Sequence, residues 1–503
     1  MTTRRSHQLV VTVVFVFGVL TAAAALAAEH LQPVGWDAGM ALTTVADLNP
    51  DPHVVEVNLV AREADVEIGP GERVHAWTYN GSLPGPVIRA RVGDRLIVHF
   101  TNNLPMNTTV HWHGVRVPNA MDGVPEHTQP AVAIGKSFTY DFVLSDAGLF
   151  WYHPHVMSAA QVGFGLYGAL LVDDPDEAVD VADEAVLVLS DLALVEGAGL
   201  EQIEAPDSGG DLAATFGREG ARVLLNGRTD ATMRARDGAP QRWRIVNAAK
   251  SRYFLLDLEG ESFTVIGTDG GLQERSERRD VLALAPGERL DVIVTPRKPI
   301  DGSRVILRSG LINRGFGSVE FRSVEQLLTM KFSDLPTYQG PAPRATSRAI
   351  APLDISAATR VDIALTLSTN ADGLTRYGIN GRPFSEDRTR SARVGETQVW
   401  TITNTTKWSH PFHLHGFFFQ VLDDHEQPSQ PLAWKDTVDV PFEQTVKVAV
   451  RFDDRPGMWM YHCHILDHAD LGLMGMLDVL PSISAVPDGG PPSAPPVKAR
   501  SLP

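Results

Sequence analysis

Apolar positions along the chain fall into short runs. Arg95-Leu96-Ile97-Val98-His99-Phe100, 184–189, Asp291-Val292-Ile293-Val294 and 361–367 are β-rich, bounded by Gly, Pro, Asn and Asp, and few stretches carry helical spacing. The pattern predicts an all-β protein, and 43 Gly and 34 Pro suit its turns. Two segments stand apart. The apolar run 9–26 follows Arg4 and Arg5 and ends in small residues, which predicts a cleaved signal peptide over 1–28 and a periplasmic or secreted protein. Arg4-Arg5 leaves the general and twin-arginine export routes both open. No later run reads as membrane-spanning, so no stable membrane association is expected after cleavage. The segment 481–503 is rich in Pro, Ser and Gly, and 483–503 is expected to be a disordered tail.

An internal repeat organises the rest. Asn80-Gly81, Asn226-Gly227 and Asn380-Gly381 each precede an Arg-x-Gly, at Arg91, Arg236 and Arg393. Eleven residues after each Arg comes Asn102, Asn247 or Asn404. Nine or ten residues further on stand His111-Trp112-His113-Gly114, Asp257-Leu258-Glu259-Gly260 and His413-Leu414-His415-Gly416. Copies about 150 residues apart are too long for solenoid repeats and predict three homologous β-domains. Boundaries at 51–175, 176–334 and 357–482 are expected, with a connector over 335–356. The middle copy carries acids where the others carry histidines, so it keeps the fold without a metal.

Charge and cysteine content narrow the chemistry. The formal net charge of −17 argues against nucleic acid or an anionic membrane as partner. The single cysteine, Cys463, allows no intrachain disulfide. Ten of the 17 histidines fall in four clusters: His111/His113, His153/His155, His410/His413/His415 and His462/His464/His468. On a strand, His-x-His puts both rings on one face about 7 Å apart, where they can serve one multinuclear centre. Imidazoles in this number suit Cu, Zn or Fe, and a thiolate with two imidazoles is the trigonal blue-copper arrangement. Zinc competes on ligand type, but one Cys with ten His does not match closed four-ligand zinc sites. A Cys-His catalytic pair would leave nine histidines without a purpose.

With these motifs in place, the sequence resembles the three-domain multicopper oxidases, which include laccases, bilirubin oxidases, spore-coat laccases and copper-efflux oxidases. The resemblance spans nearly the whole mature chain. It rests on His-Trp-His-Gly at 111, Trp-Tyr-His-Pro-His at 151, His-Pro-Phe-His-Leu-His-Gly at 410 and Tyr-His-Cys-His-Ile-Leu-Asp-His at 461. It implies three cupredoxin-like Greek-key domains and four coppers per chain. The type-1 copper would be held by His410, Cys463 and His468, and the type-2 copper by His111 and His413. The two type-3 coppers would be held by His113, His153, His155, His415, His462 and His464. It also implies a small-molecule reductant, with O2 as the acceptor reduced to water, and a monomer is expected. Asp122, nine residues after His113, matches an acid thought to assist proton delivery. Ala469 stands where copper-efflux relatives carry a second acid, which leaves Asp467 or Asp470 for that role. Leu473, ten residues after Cys463, matches the axial position of the type-1 copper and has no donor atom.

The resemblance fixes the substrate least. Around 334–354, where copper-efflux oxidases carry a Met-rich insert, this chain has no Met, and 405–409 lacks the soft ligands Cu(I) would need. Met458, Met460, Met474 and Met476 are expected to be core packing, with a Cu(I) site as the other reading. Trp408 is read either as a wall for an aromatic reductant or as packing. The expectation is therefore a laccase-like oxidase of phenols or other small aromatics. The alternatives are a metallo-oxidase acting on Cu(I) or another metal ion, and a copper-poor binding protein.

Overall fold

The computed structural model describes residues 31–482 apart from 178, 180, 182, 196–200, 204–213, 301–303, 316–323, 345, 346, 370–374 and 388. The expected signal peptide and C-terminal tail lie outside the described residues. No helix among them is long and apolar enough to cross a membrane.

The protein is all-β, and the six sheets among the described residues pair into three two-sheet units with cupredoxin-like folds. The four β-rich runs of the sequence lie in the strands Arg95–Asn103, Glu184–Leu192, Arg289–Val294 and Thr359–Thr369. Each unit contains the same parallel pairing: Val54 beside Arg95, Glu184 beside Arg242, and Thr359 beside Gln398. The short strands Leu194–Val195 and Glu201–Ile203 return to the first unit and extend its sheet beside Glu72–Tyr79.

The repeated residues explain why three diverged segments fold alike. Asn80, Asn226 and Asn380 have φ of 55°, 53° and 53°, and each is followed by a glycine with positive φ. Tight turns of this kind need the left-handed conformation, which Asn and Gly adopt at low cost. Each side chain also accepts a backbone N–H, from Val60, Val188 and Ala364 respectively. Asn102, Asn247 and Asn404 donate through Nδ2 to two carbonyls each and so brace one loop per unit. In the third unit those carbonyls belong to Trp408 and Val440, which flank the strand that starts at His410.

Each unit closes over an apolar core. Trp112 and Tyr152 lie in the first, Trp243 and Phe254 in the second, and Trp400 and Tyr461 in the third. Each such large side chain contributes about 1.5–3 kcal/mol on burial. These cores hold rigid the strands that carry the histidines: His111–His113 and Gly148–His153 in the first unit, and His410–Leu414 and Gly457–Cys463 in the third.

Candidate metal centre

Two buried clusters form at the ends of these strands. In the first, His410 opens one strand, Cys463 closes its neighbour, and His468 sits in the short helix Leu466–Asp470 just beyond. Antiparallel pairing of Phe412 with Cys463 sets the register. Cys463 Sγ lies 3.4 Å from His410 Nδ1 and 3.7 Å from His468 Nδ1, and the two nitrogens are 3.0 Å apart. The outer ring nitrogens are committed elsewhere. His410 Nε2 donates to Thr406 Oγ1 at 2.8 Å, and His468 Nε2 donates to the Thr215 carbonyl at 3.2 Å. Those bonds assign the tautomers and leave both Nδ1 lone pairs facing the sulfur.

The second cluster gathers eight histidines at the junction of the first and third units. His111 stacks on His415 with ring centres 3.9 Å apart, and His113 stacks on His413 at 3.8 Å. Register brings His111 opposite His153 and His413 opposite His462. The rings within each His-x-His pair are 5.0–6.2 Å apart, so both members of each pair reach the same pocket. His415 Nε2 and His155 Nε2 lie 3.1 and 3.4 Å from His462 Nε2. Outward nitrogens are again anchored. His111, His153, His413 and His462 donate through Nδ1 to the carbonyls of Asp122, Pro154, Asp436 and Cys463. His415 Nδ1 donates to Asp122 Oδ2 at 2.9 Å, and His113 Nε2 donates to Asp436 Oδ1 at 3.1 Å.

The inward atoms have the character of metal donors. His111 Nε2, His113 Nδ1, His153 Nε2, His413 Nε2 and both nitrogens of His464 are buried without a hydrogen-bond partner among the described residues. Leaving one such group unpaired costs about 1–3 kcal/mol, so a concentration of them demands a shared partner. Burial, aided by neighbouring charges, pushes His113, His153, His155, His415, His462, His464 and His468 well below the usual imidazole range. Burial and Arg314 hold His410 down to about 3. The rings are therefore neutral, the form that binds metals. Burial pushes the Cys463 thiol well up, so a thiolate there needs a bound cation to stabilise it. Groups able to hold an ion include His410/Cys463/His468, His155/His415/His462, His111/His113/His153 and His111/His413/His415. This donor set of imidazoles and one thiolate fits copper.

Several other sequence expectations find a place here. Asp122 is buried between His111 and His415. Leu473 is fully buried in the apolar cluster that contains Cys463, whereas Met474 packs with Val124, Met460 and Met476. Met460 pairs across strands with Met476, in keeping with core packing. Trp408 offers no open wall: it is buried against Phe216, and its Nε1 donates to Tyr377 Oη. Asp467 does not face the histidines. It is taken by Lys250 Nζ, Ser251 Oγ and the Arg218 N–H, and it pins the third unit to the second. Asp470, raised to about 6 by burial, accepts the Ala159 N–H. Sequence reasoning missed Asp436, Thr437 and Arg289, which lie in no histidine motif. The only trace was a second charged residue, beside Asp291, in the strand Arg289–Val294.

Comparison with known proteins agrees with this geometry. Sequence profiles described as multicopper oxidase match residues 61–177, 184–310 and 355–482. The chain is 32% identical to a multicopper oxidase of Mycobacterium tuberculosis, over 91% of this chain and 94% of that one. It is 27% identical to a laccase of Bacillus subtilis, over 80% and 90%. Among solved structures, a multicopper oxidase from Campylobacter jejuni described as a metallo-oxidase superposes with a TM-score of 0.76. That match has 28% identity and covers 88% of this chain and 94% of that one.

Proposed function

The chain belongs to the multicopper oxidase family, copper-dependent oxidoreductases that use O2, and from that premise we propose that it is a laccase-like enzyme. It couples one-electron oxidation of phenolic or other small aromatic reductants to four-electron reduction of O2 to water. His410, Cys463 and His468 would hold a type-1 copper, and His111 and His413 a type-2 copper. The remaining six histidines would hold a type-3 pair, about four coppers per chain in all. Bound there, copper supplies the one-electron redox chemistry that links the reductant to O2. The reading extends to an exported protein acting as a monomer.

The observation that carries this reading is covalent. Cys463 belongs to one cluster, and its neighbours His462 and His464 belong to the other. One tripeptide therefore joins the side that accepts electrons to the side that passes them to O2. On the reductant side, His468 is covered by the Thr215 carbonyl and by the Tyr377 ring, stacked at 4.3 Å. On the oxygen side, Asp122 can hold a proton at Oδ1, which has no hydrogen-bond partner among the described residues. The methionines that could suit Cu(I) pack beside Val124 and Phe384, in a cluster separate from the one around Cys463.

The test is O2 uptake by the copper-loaded full chain over a panel of substituted phenols and of Cu(I), Fe(II) and Mn(II). The expected result is a higher kcat/KM for the best phenol than for any metal ion. A metal ion oxidised more efficiently than every phenol would replace this reading with that of a metallo-oxidase.

A further inference from the structure

The middle unit supplies none of the clustered histidines, yet one of its side chains reaches their pocket. Arg289 opens the strand Arg289–Val294 and is completely buried. Its guanidinium has five N–H groups, and the structure gives each an acceptor. Nε donates to the Leu149 carbonyl at 3.1 Å. Nη1 donates to the Gly287 carbonyl at 3.1 Å and to Asp436 Oδ1 at 2.7 Å. Nη2 donates to the Asp269 carbonyl at 2.9 Å and to Asp436 Oδ2 at 2.5 Å. Leu149 lies on the first unit's histidine strand, Asp269 and Gly287 on the second unit, and Asp436 on the third, so one side chain ties all three together at this point.

The chain makes room for it. Gly114, which ends the His-Trp-His-Gly motif, has φ +84°, and a Cβ there would lie 2.2 Å from Arg289 Nη2. Gly287 has φ +88°, and its Cβ would lie 2.9 Å from the His464 ring. Asp436 then acts on two histidines at once. Its Oδ1 accepts from His113 Nε2 and its carbonyl accepts from His413 Nδ1. Burial alone would push the Asp436 carboxyl up, but Arg289 holds it well below the usual carboxylate range. Removing one partner of such a buried bidentate pair leaves the other charge uncompensated, a strongly unfavourable state.

We propose that Arg289 of the middle unit is a positioning residue of the histidine cluster: it fixes Asp436, which turns His113 Nδ1 and His413 Nε2 into the shared pocket. The middle unit, which lost its histidines, thereby became the clamp on the metal site formed by the other two. This rests on the reading of His113 and His413 as copper ligands. Partners that fix the tautomer and orientation of a ligand histidine typically change metal affinity by about 10–100-fold when removed.

The experiment compares wild type, Arg289→Met, Arg289→Lys and Asp436→Asn, each expressed as the full chain with copper supplied. Copper per chain is read by elemental analysis, the Cys463-dependent blue absorbance optically, and the fold by circular dichroism. We expect Arg289→Met to keep the blue absorbance while losing the copper held by the eight-histidine cluster, with Arg289→Lys intermediate. Should Arg289→Met fail to fold, Asp436→Asn, which keeps side-chain size, gives the same readout. Full copper content in folded variants would overturn the proposal. So would a parallel loss of blue absorbance and copper, which would mark a general structural role. A wild type without copper would instead refute the ligand reading beneath it.

Discussion

Asp122 and Asp436 serve the histidine cluster from opposite sides in matching ways. Asp122, in the first unit, accepts from His111 of its own unit through its carbonyl and from His415 of the third through its carboxylate. Asp436, in the third unit, accepts from His413 of its own unit through its carbonyl and from His113 of the first through its carboxylate. In the internal repeat His111 corresponds to His413 and His113 to His415, so the two aspartates are related as the two units are. They differ in the ring nitrogen bound, Nδ1 of His415 against Nε2 of His113, and in their remaining partners. Both carboxylate oxygens of Asp436 are bound by Arg289, whereas Asp122 Oδ1 has no hydrogen-bond partner among the described residues.

That asymmetry assigns different tasks. Asp122→Asn retains an acceptor for His415 Nδ1 but cannot give or take a proton at neutral pH. Steady-state O2 uptake is expected to fall by roughly 10²-fold or more, the usual contribution of a positioned proton-transfer group. Copper content and the rate at which reductant bleaches the blue absorbance should stay near wild type. An Asp122→Asn enzyme with more than half of normal turnover would show that protons arrive by another route.

Leu473 and Met474 allow a second prediction. Leu473 immediately precedes the strand Met474–Leu480, and the two side chains pack in different apolar clusters, Leu473 with Cys463 and Met474 with Val124 and Met476. An axial thioether favours the oxidised ion, so Leu473→Met should lower the reduction potential of the blue site. Met474→Leu should leave it nearly unchanged. Redox titration of the blue absorbance in the two variants checks this, and the opposite pattern would make Met474 the axial residue.

Much of this was legible in the sequence because its signals are local. Asn80-Gly81 and its two counterparts encode their turns within a few residues, and the His-x-His spacing brings both members of each pair to one pocket, although only His111 and His113 lie wholly within a strand. Cys463 between two histidines already joins two clusters. What stayed hidden depends on distant partners. Arg289 meets Asp436 across 147 residues, and His468 meets the Thr215 carbonyl across 253. Neither contact leaves a spacing to read. Asp467 and Asp470 looked available for proton transfer because sequence proximity to His468 says nothing of direction. The structure turns the first toward Lys250 and the second toward Ala159. Trp408 could be wall or packing until Tyr377 and Phe216 were found against it.

The most direct test of the whole account is copper analysis together with visible absorbance of wild type and Cys463→Ser, each loaded with copper under the same conditions. About four coppers per chain and an intense blue colour are expected in wild type. Cys463→Ser should be colourless and inactive towards reductants, yet retain about three coppers on the eight-histidine cluster. A colourless wild type binding fewer than about three coppers, or a Cys463→Ser variant that keeps most of its turnover, would contradict it.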